Sequence, residues 1–194
     1  MNDSAMGAKM LLFVNACMRE ESRTERLARM WLEQHGDEDV LELVLAKSDT
    51  PLLDEEQLAT YSASVAAQNY SDPMFHDAKQ FAHADEVLVA APFWNYSIPA
   101  KLHDYLELVC SQGVTFDIDE TGNYVSLCRA QRLTFVTTAG GAEVDPLDDH
   151  AFGYLHTLAT RFWHIPEIAC VAAWGLDGPD ADVDALLDQA LSGK

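Results

Sequence analysis

The length, composition and charge of this chain exclude several classes of protein. Its 194 residues suffice for one domain with a substantial core, and a hydrophobic content of 48% excludes a disordered chain. The formal net charge of −20 argues against nucleic acid or an anionic membrane as a partner, because both require a basic surface.

Several absences in the sequence predict a cytoplasmic protein. The four cysteines form neither a disulfide framework nor a zinc motif, and the seven histidines lack metal-ligand spacing, so no metal site is expected. No apolar segment approaches the ~20 residues of a membrane span, and Met10–Val14 is shorter than the ~7–15 apolar residues of a signal peptide. Residues 1–8 are expected to be unstructured or to have been added for expression.

Apolar periodicity and capping signals predict strands that alternate with helices along the whole chain. The first strand leads through a loop to Ser22, a suitable N-cap for a helix that Gly36 ends. Asp72 and Pro73 open a later helix in a similar way, and Pro99 stands at the start of another. Residues 113–126 form two short extended segments around a turn. The predicted strands are 10–15, 40–45, 87–91, 132–138 and 167–173, and the predicted helices are 23–34, 54–70, 73–84, 98–111, 149–163 and 180–191.

This alternation predicts a parallel sheet with helices on both faces, in one domain over residues 1–194. Five strands favour a flavodoxin-like three-layer sandwich with the strand order 2-1-3-4-5 over a six-stranded dinucleotide-binding fold. In that order, the loops after the first, third and fourth strands meet at one edge of the sheet. Ligands of open α/β sheets bind at this edge, so the three loops form the candidate site.

The first of these loops has the features of a phosphate site. Ser22, Arg23 and Thr24 open a helix, and the free N–H groups and the dipole of a helix start attract anions. The hydroxyl groups of Ser22 and Thr24 can add hydrogen bonds, and Arg19 or Arg23 can offset negative charge. A capped helix with ordinary ion pairs along its surface is the alternative interpretation.

The other two loops offer surfaces for a heteroaromatic ring. The loop from Phe93 to Tyr96 presents flat apolar side chains and backbone amides, although these aromatics could equally belong to the core. The segment Thr138-Ala139-Gly140-Gly141 lets the backbone approach a ligand, because two positions lack side chains, although any turn after a strand could have this composition. Together, and in this order, the three loops indicate a flavin more strongly than any one of them does.

Four motifs carry a family resemblance. The first loop reads Cys17-Met18-Arg19, then Ser22-Arg23-Thr24 and Leu27, and the second reads Pro92-Phe93-Trp94-Asn95-Tyr96-Ser97-Ile98-Pro99. The other two motifs are Gly113–Phe116 and Gly140-Gly141. With them, the chain from about Met10 to about Leu176 resembles the flavodoxin-like FMN-dependent NAD(P)H:quinone oxidoreductases and azoreductases. Their first loop usually reads Ser-Pro-Arg, two residues, Ser-x-Ser/Thr, two residues and Leu, and their ring loop is similar to Pro-Met-Tyr-Asn-Phe-Ser-Ile-Pro.

The resemblance implies FMN as cofactor, NAD(P)H as electron donor and a quinone-like or azo compound as the small-molecule acceptor. Electrons would pass by hydride transfer in a ping-pong cycle without a catalytic side chain, since the flavin carries the chemistry. The implied cofactor-binding residues are Cys17, Arg19, Ser22, Arg23 and Thr24 at the phosphate, and Pro92, Phe93, Trp94, Asn95, Tyr96, Thr138, Ala139, Gly140 and Gly141 at the ring.

The resemblance also implies a homodimer with active sites at the subunit interface. Trp94, Phe116 and Phe162 are the implied substrate-side residues. Phe116, Tyr124 and Phe162 have no obvious partner within the predicted fold, which is a further reason to expect a two-fold contact. The chain departs from the family where Cys17 replaces a common serine, and where Ala142-Glu143-Val144 replaces a segment that often carries an aromatic over the ring.

Two other functions stay open at this point. Cys17, five residues and Arg23-Thr24 fit the Cys-x5-Arg-Ser/Thr loop of low-molecular-weight tyrosine phosphatases, in which a thiolate attacks phosphorus. Asp145-Pro146 could supply the general acid of such an enzyme. Against this reading, Glu20-Glu21 place two carboxylates in a loop that also lacks glycine. The other alternative is a flavin-free interaction protein on the same fold.

Overall fold

The described residues of the computed structural model are 9–35 and 39–193, so the predictions for residues 1–8 and for Gly36 lie outside them. Runs of apolar residues form the central strands, because a strand buried on both faces needs apolar side chains on each side. The described part of the chain contains the strands β1 (Met10–Asn15), β2 (Asp39–Val44), β3 (Glu86–Ala90), β4 (Phe116–Ile118), β5 (Tyr124–Ser126), β6 (Arg132–Thr138) and β7 (Glu167–Ala173).

Five of these strands form one parallel sheet in the order β2-β1-β3-β6-β7. Counted along the chain without the β4–β5 pair, this is the predicted order 2-1-3-4-5. The strands β4 and β5 pair antiparallel, as expected for the two short extended segments. Because the five strands are parallel, their carboxyl ends share one edge of the sheet, and β1, β3 and β6 are adjacent there.

Helices cover both faces of this sheet. The helices of the described residues are α1 (Arg23–His35), α2 (Glu55–Ala67), α3 (His76–His83), α4 (Ala100–Val109), α5 (Phe152–Arg161) and α6 (Val183–Ser192). One layer contains α1 and α6, whose buried Leu27 and Leu187 belong to one core cluster with Leu11 and Phe13 of β1. Leu12 and Val14 of β1 belong to the cluster of the opposite layer, as the two-residue period of a strand requires.

Buried side chains of α3, α4 and α5 pack on the opposite face, so the predicted three-layer sandwich and the flavodoxin-like fold are confirmed. Phe81 of α3 and Tyr105 of α4 are among the largest side chains that this layer buries completely. A search of the described helices finds no segment that is long and apolar enough to cross a membrane.

Several helix boundaries differ from the predictions for local reasons. Helix α2 ends at Ala67 rather than near residue 70, because Gln68 takes a left-handed conformation with φ of 50°. The Asp72 carboxylate accepts the N–H of Met74 as predicted, but residues 73–75 form a turn of 3₁₀ helix before α3 begins. Pro99 precedes α4, since its ψ of 146° is extended rather than helical.

Candidate functional site

A cavity of about 190 Å³ opens at the carboxyl edge of the sheet, where the loops after β1, β3 and β6 meet. Most of the predicted cofactor-binding residues line it, but Cys17, Asn95, Tyr96 and Gly141 do not. The structure therefore brings the three predicted loops together. The lining residues are Met18, Arg19, Glu21, Ser22, Arg23, Thr24, Pro92, Phe93, Trp94, Thr138, Ala139, Gly140 and Asp177.

The start of α1 forms part of the cavity wall. The Ser22 hydroxyl oxygen accepts the N–H of Glu25 at 3.3 Å, so the predicted N-cap is confirmed. Within the described part of the chain, the N–H groups of Arg23 and Thr24 have no hydrogen-bond partner, as is usual in the first turn of a helix. The Thr24 hydroxyl lies 2.6 Å from that of Thr138, which joins this helix start to the end of β6.

A buried asparagine shapes the loop that leads to this helix. The side-chain oxygen of Asn15, the last residue of β1, accepts the N–H of Cys17 at 3.1 Å, and its amide nitrogen donates to Glu42 at 3.0 Å. Glu42 also pairs with Arg29 of α1 at 2.5 Å. Burial alone would raise the pKa of Glu42, but hydrogen bonds from Arg29 and Asn15 hold it below its usual value. The backbone of this loop is thus held by a connected network of polar side chains, Asn15, Glu42 and Arg29.

Cys17 is a buried residue that does not line the cavity. Its side chain is buried in the layer shared by α1 and α6, with 4% exposed, and its sulfur is 3.8 Å from the carbonyl oxygen of Ala90. Burial raises the pKa of the Cys17 thiol to about 11, so the thiol stays protonated near neutral pH. A buried, protonated thiol is a poor nucleophile, and the phosphatase alternative is not favoured.

The loop after β3 is held in a strained turn beside the cavity. Trp94 and Ser97 exchange two backbone hydrogen bonds of 2.9 Å, and the Phe93 N–H donates to the Thr138 carbonyl at 3.0 Å. Between Trp94 and Ser97, the residues Asn95 and Tyr96 have φ of 52° and 64°, a left-handed conformation that is unfavourable for a tyrosine. Strain of this kind is concentrated at functional sites, where the surrounding contacts maintain it.

The aromatic residues of this loop divide between core and surface. Phe93 packs against Trp174 with ring centroids 5.0 Å apart, so it is partly a core residue, as the alternative interpretation allowed. Trp94 and Tyr96 stay open to solvent, with 37% and 54% exposed. The Arg19 guanidinium lies 5.9 Å from the Trp94 ring centroid, a cation–π contact at the cavity rim.

The loop after β6 contains two glycines in different surroundings. A Cβ atom on Gly140 would lie 1.8 Å from a carboxylate oxygen of Asp177, so the missing side chain makes room for that carboxylate. A Cβ atom on Gly141 would meet no atom within 4 Å. The expectation that both glycines allow close approach of a ligand stays a prediction: there is open space at Gly141, whereas Gly140 is the one that lines the cavity.

Asp177 is the lining residue that the sequence prediction most clearly missed. It lies in the turn after β7 and pairs with Arg23, with 2.7 Å between Oδ1 and Nη2. The available signal was its position just after the fifth strand of the sheet, whose carboxyl end reaches the same edge. Met18 and Glu21 were also missed, although both belong to the loop that was predicted to bind phosphate.

Phe116 and Phe162 lie outside the cavity lining and pack with Tyr124 instead. Their ring centroids are 4.9 Å apart, and Tyr124 lies 5.5 Å from Phe116 and 4.4 Å from Phe162. The premise that these rings have no partner within the chain was wrong. Phe162 directly follows α5, which returns the chain from the carboxyl edge of β6 to the start of β7, so this cluster lies toward the opposite edge of the sheet.

Comparisons with known proteins agree with this architecture. A family model described as flavodoxin-like fold matches residues 9–192. The chain is 31% identical over 191 residues to the FMN-dependent NADH:quinone oxidoreductase of Shewanella denitrificans, covering 93% of this chain and 94% of that protein. The corresponding protein of Coprothermobacter proteolyticus is 28% identical over 177 residues, covering 89% and 88%.

Solved structures show the same fold. An FMN-dependent NADH-azoreductase from Bacillus anthracis, in complex with FMN, superimposes with a TM-score of 0.78 at 20% identity and covers 95% of each chain. An NAD(P)H:quinone oxidoreductase from Methanothermobacter marburgensis gives a TM-score of 0.73 at 14% identity, covering 96% of this chain and 98% of that one. From the family match and the relatives of more than 30% identity, the chain belongs to the flavodoxin-like family that includes FMN-dependent NADH:quinone oxidoreductases.

Proposed function

We propose that the protein is an FMN-dependent oxidoreductase that takes electrons from NADH or NADPH and passes them to a quinone-like or azo acceptor. The observation that carries this proposal is the convergence of the loops after β1, β3 and β6 on one cavity, which is lined both by a helix start and by aromatic side chains. The names of the relatives support the same cofactor and donor.

The residues present fit both ends of FMN. For the phosphate, α1 offers the unpaired N–H groups of Arg23 and Thr24, together with the hydroxyl groups of Ser22 and Thr24. For the ring, Phe93 and Trp94 offer apolar surface. Gly141 follows the lining residue Gly140 in the loop after β6, and no residue of the described chain accepts a hydrogen bond from its N–H group.

In this proposal the chain binds and orients the flavin rather than reacting itself. Bound FMN supplies the two-electron chemistry, which a ping-pong cycle of hydride transfer would divide between donor and acceptor. The backbone N–H groups of Asn95, Tyr96 and Gly141 have no partner among the described residues, and in this proposal they would stabilise negative charge at the ring edge, although these residues do not line the cavity. No side chain is assigned as acid or base.

The first expected result is that FMN binds and that NADH reduces it. Adding FMN to flavin-free protein should quench flavin fluorescence and raise the melting temperature, because only the folded protein has the cavity. Under anaerobic conditions, NADH should then bleach the visible flavin absorbance, and a quinone should restore it. If FMN causes no quenching and no rise in melting temperature, the proposed function is rejected and a flavin-free interaction protein is favoured.

A second copy of the chain completes the site in this proposal. The cavity of about 190 Å³ is smaller than the ~300–1,000 Å³ of typical ligand pockets, and its lining residue Trp94 and the nearby Tyr96 of the same loop are exposed. Phe116 and Phe162 lie away from the cavity of their own chain, so they could line a substrate site only as residues of the partner subunit. This assigns the β4–β5 hairpin to the interface.

We therefore expect light scattering at micromolar protein to give about twice the chain mass of 21.5 kDa. Val125→Asp places a charge on the exposed face of the hairpin and should shift the protein toward the monomer. Val40→Asp, at a similarly exposed valine on the edge strand β2, is the matched control and should leave the dimer intact. A wild-type protein that is monomeric at this concentration would contradict the dimer.

A further inference from the structure

The guanidinium of Arg23 is held by the turn that follows β7. Its Nη1 donates to the Leu176 carbonyl oxygen at 2.8 Å, and its Nη2 donates to the Asp177 carboxylate at 2.7 Å. Arg23 is the first residue of α1, beside the N–H groups that we assign to the phosphate. The cation at the first position of α1 therefore already has an anionic partner within the chain.

Backbone hydrogen bonds between the turn after β7 and the loop after β6 fix the position of Asp177. Its N–H donates to the Gly140 carbonyl at 3.0 Å, and the N–H of Leu176 donates to the Ala139 carbonyl at 3.1 Å. The absence of a side chain at Gly140 leaves the space that the carboxylate occupies. Backbone pairing and this space together hold the Asp177 carboxylate at the cavity wall, next to Arg23.

The charges that line the cavity balance one another. Arg19 and Arg23 contribute two positive charges, and Glu21 and Asp177 contribute two negative charges. Because Arg23 is paired, the helix start offers a phosphate neutral N–H and hydroxyl donors rather than a free cation. A phosphate that binds there must compete with the Asp177 carboxylate for the same guanidinium, since both are anions that accept its N–H groups.

We infer that Asp177 is a specificity-determining residue that acts through Arg23: it weakens the hold of the site on the phosphate of a flavin by competing for the guanidinium. This inference rests on the proposed function. By this competition, Asp177 sets the preference for a phosphorylated flavin over riboflavin, which has the same ring and side chain but no phosphate. Removing the negative charge of Asp177 frees Arg23 for the phosphate.

The test is Asp177→Asn, with FMN and riboflavin affinities measured separately by fluorescence quenching at low salt. The Asp177 side chain is 69% exposed, so the variant is expected to fold with an unchanged melting temperature. FMN should bind at least fivefold more tightly, while riboflavin affinity stays within twofold of wild type. The matched control is Asp184→Asn, which removes a similarly exposed partner of Arg26 at the same 2.7 Å distance and should change neither affinity.

An Arg23→Gln background separates competition for Arg23 from direct repulsion of the phosphate. In that background, Asp177→Asn should leave FMN affinity unchanged, and a persisting gain would overturn the inference. So would weaker FMN binding in Asp177→Asn, which would mean that Asp177 orients Arg23 productively. An equal change for both flavins would also overturn it, because the effect would then not involve the phosphate.

Inorganic phosphate gives a readout that does not depend on flavin binding. Phosphate should raise the melting temperature of Asp177→Asn more than that of wild type, because the freed guanidinium binds the anion. Equal shifts in the two proteins reject the competition. A wild type that binds neither flavin rejects the proposed function instead, and the phosphate comparison then still decides whether Asp177 competes for Arg23.

Discussion

Ser22→Asp is expected to weaken FMN binding by about a hundredfold or more while the fold stays intact. Aspartate is as good an N-cap as serine and is favourable near the positive end of the helix dipole, so α1 should keep its stability. The same carboxylate, however, stands where the phosphate is proposed to bind. Two like charges ~4 Å apart cost from about 1 kcal/mol in water to about 4 kcal/mol near a protein surface. A loss of about 2.8 kcal/mol corresponds to a hundredfold in affinity.

The matched control is Ser22→Asn, which has nearly the same shape as the aspartate variant and also caps helices well, but is neutral. FMN titrations and thermal unfolding of both variants separate charge from capping. The asparagine variant should bind FMN far more tightly than the aspartate variant, and the two melting temperatures should agree. Equal FMN affinities in the two variants would move the phosphate away from the start of α1.

Strand order and the location of the site could be predicted because both depend on local patterns. The strands β1 and β3 are apolar over nearly their whole length, and that pattern indicates burial on both faces. Once the strands are known, the parallel topology brings their carboxyl ends to one edge, and the loops after β1, β3 and β6 follow. Ser22 could be identified in the same way, because an N-cap is recognised from the residues that directly follow it.

The pairing of Asp177 with Arg23 could not be predicted, although the position of Asp177 after the fifth strand could have been noted, because the pairing comes from contacts between distant parts of the chain. Its partner Arg23 is 154 residues away in sequence, and the space for its carboxylate is provided by Gly140. In the sequence, Gly140 and Gly141 look equivalent. Only the fold shows that one makes room for Asp177 and that the other has no neighbour within 4 Å of its open side.

Cys17 illustrates the opposite case, in which a local motif left open an alternative chemistry that the fold does not favour. The spacing of Cys17 and Arg23 fits a phosphatase loop, but spacing carries no information about burial. In the structure, Asn15 anchors the backbone of Cys17 and the thiol is enclosed between α1 and β3, which raises its pKa to about 11. Burial of the thiol, not its place in the motif, decides its reactivity.

Trp94→Ala is expected to lower FMN affinity or the rate of acceptor reduction by about tenfold, which corresponds to about 1.4 kcal/mol. The indole offers a large apolar face at the cavity, and the Arg19 guanidinium lies over it. The substitution therefore removes the proposed contact with the flavin ring and also the cation–π contact that holds Arg19. Because Trp94 is 37% exposed, the free energy of unfolding should change little. FMN titration, steady-state kinetics with a quinone and chemical denaturation measure the three quantities.

Trp94→Phe decides which property of the side chain matters. Phenylalanine keeps an aromatic face toward the cavity but is smaller and attracts a cation less strongly than indole. If stacking on the flavin is the main contribution, the phenylalanine variant should retain most of the wild-type affinity and rate. If the indole acts chiefly by holding Arg19, the phenylalanine variant should resemble the alanine variant, and Arg19→Ala should reproduce the same loss. Wild-type binding and kinetics in Trp94→Ala would instead mean that Trp94 is a surface residue of the loop after β3 and contacts neither the flavin nor the acceptor.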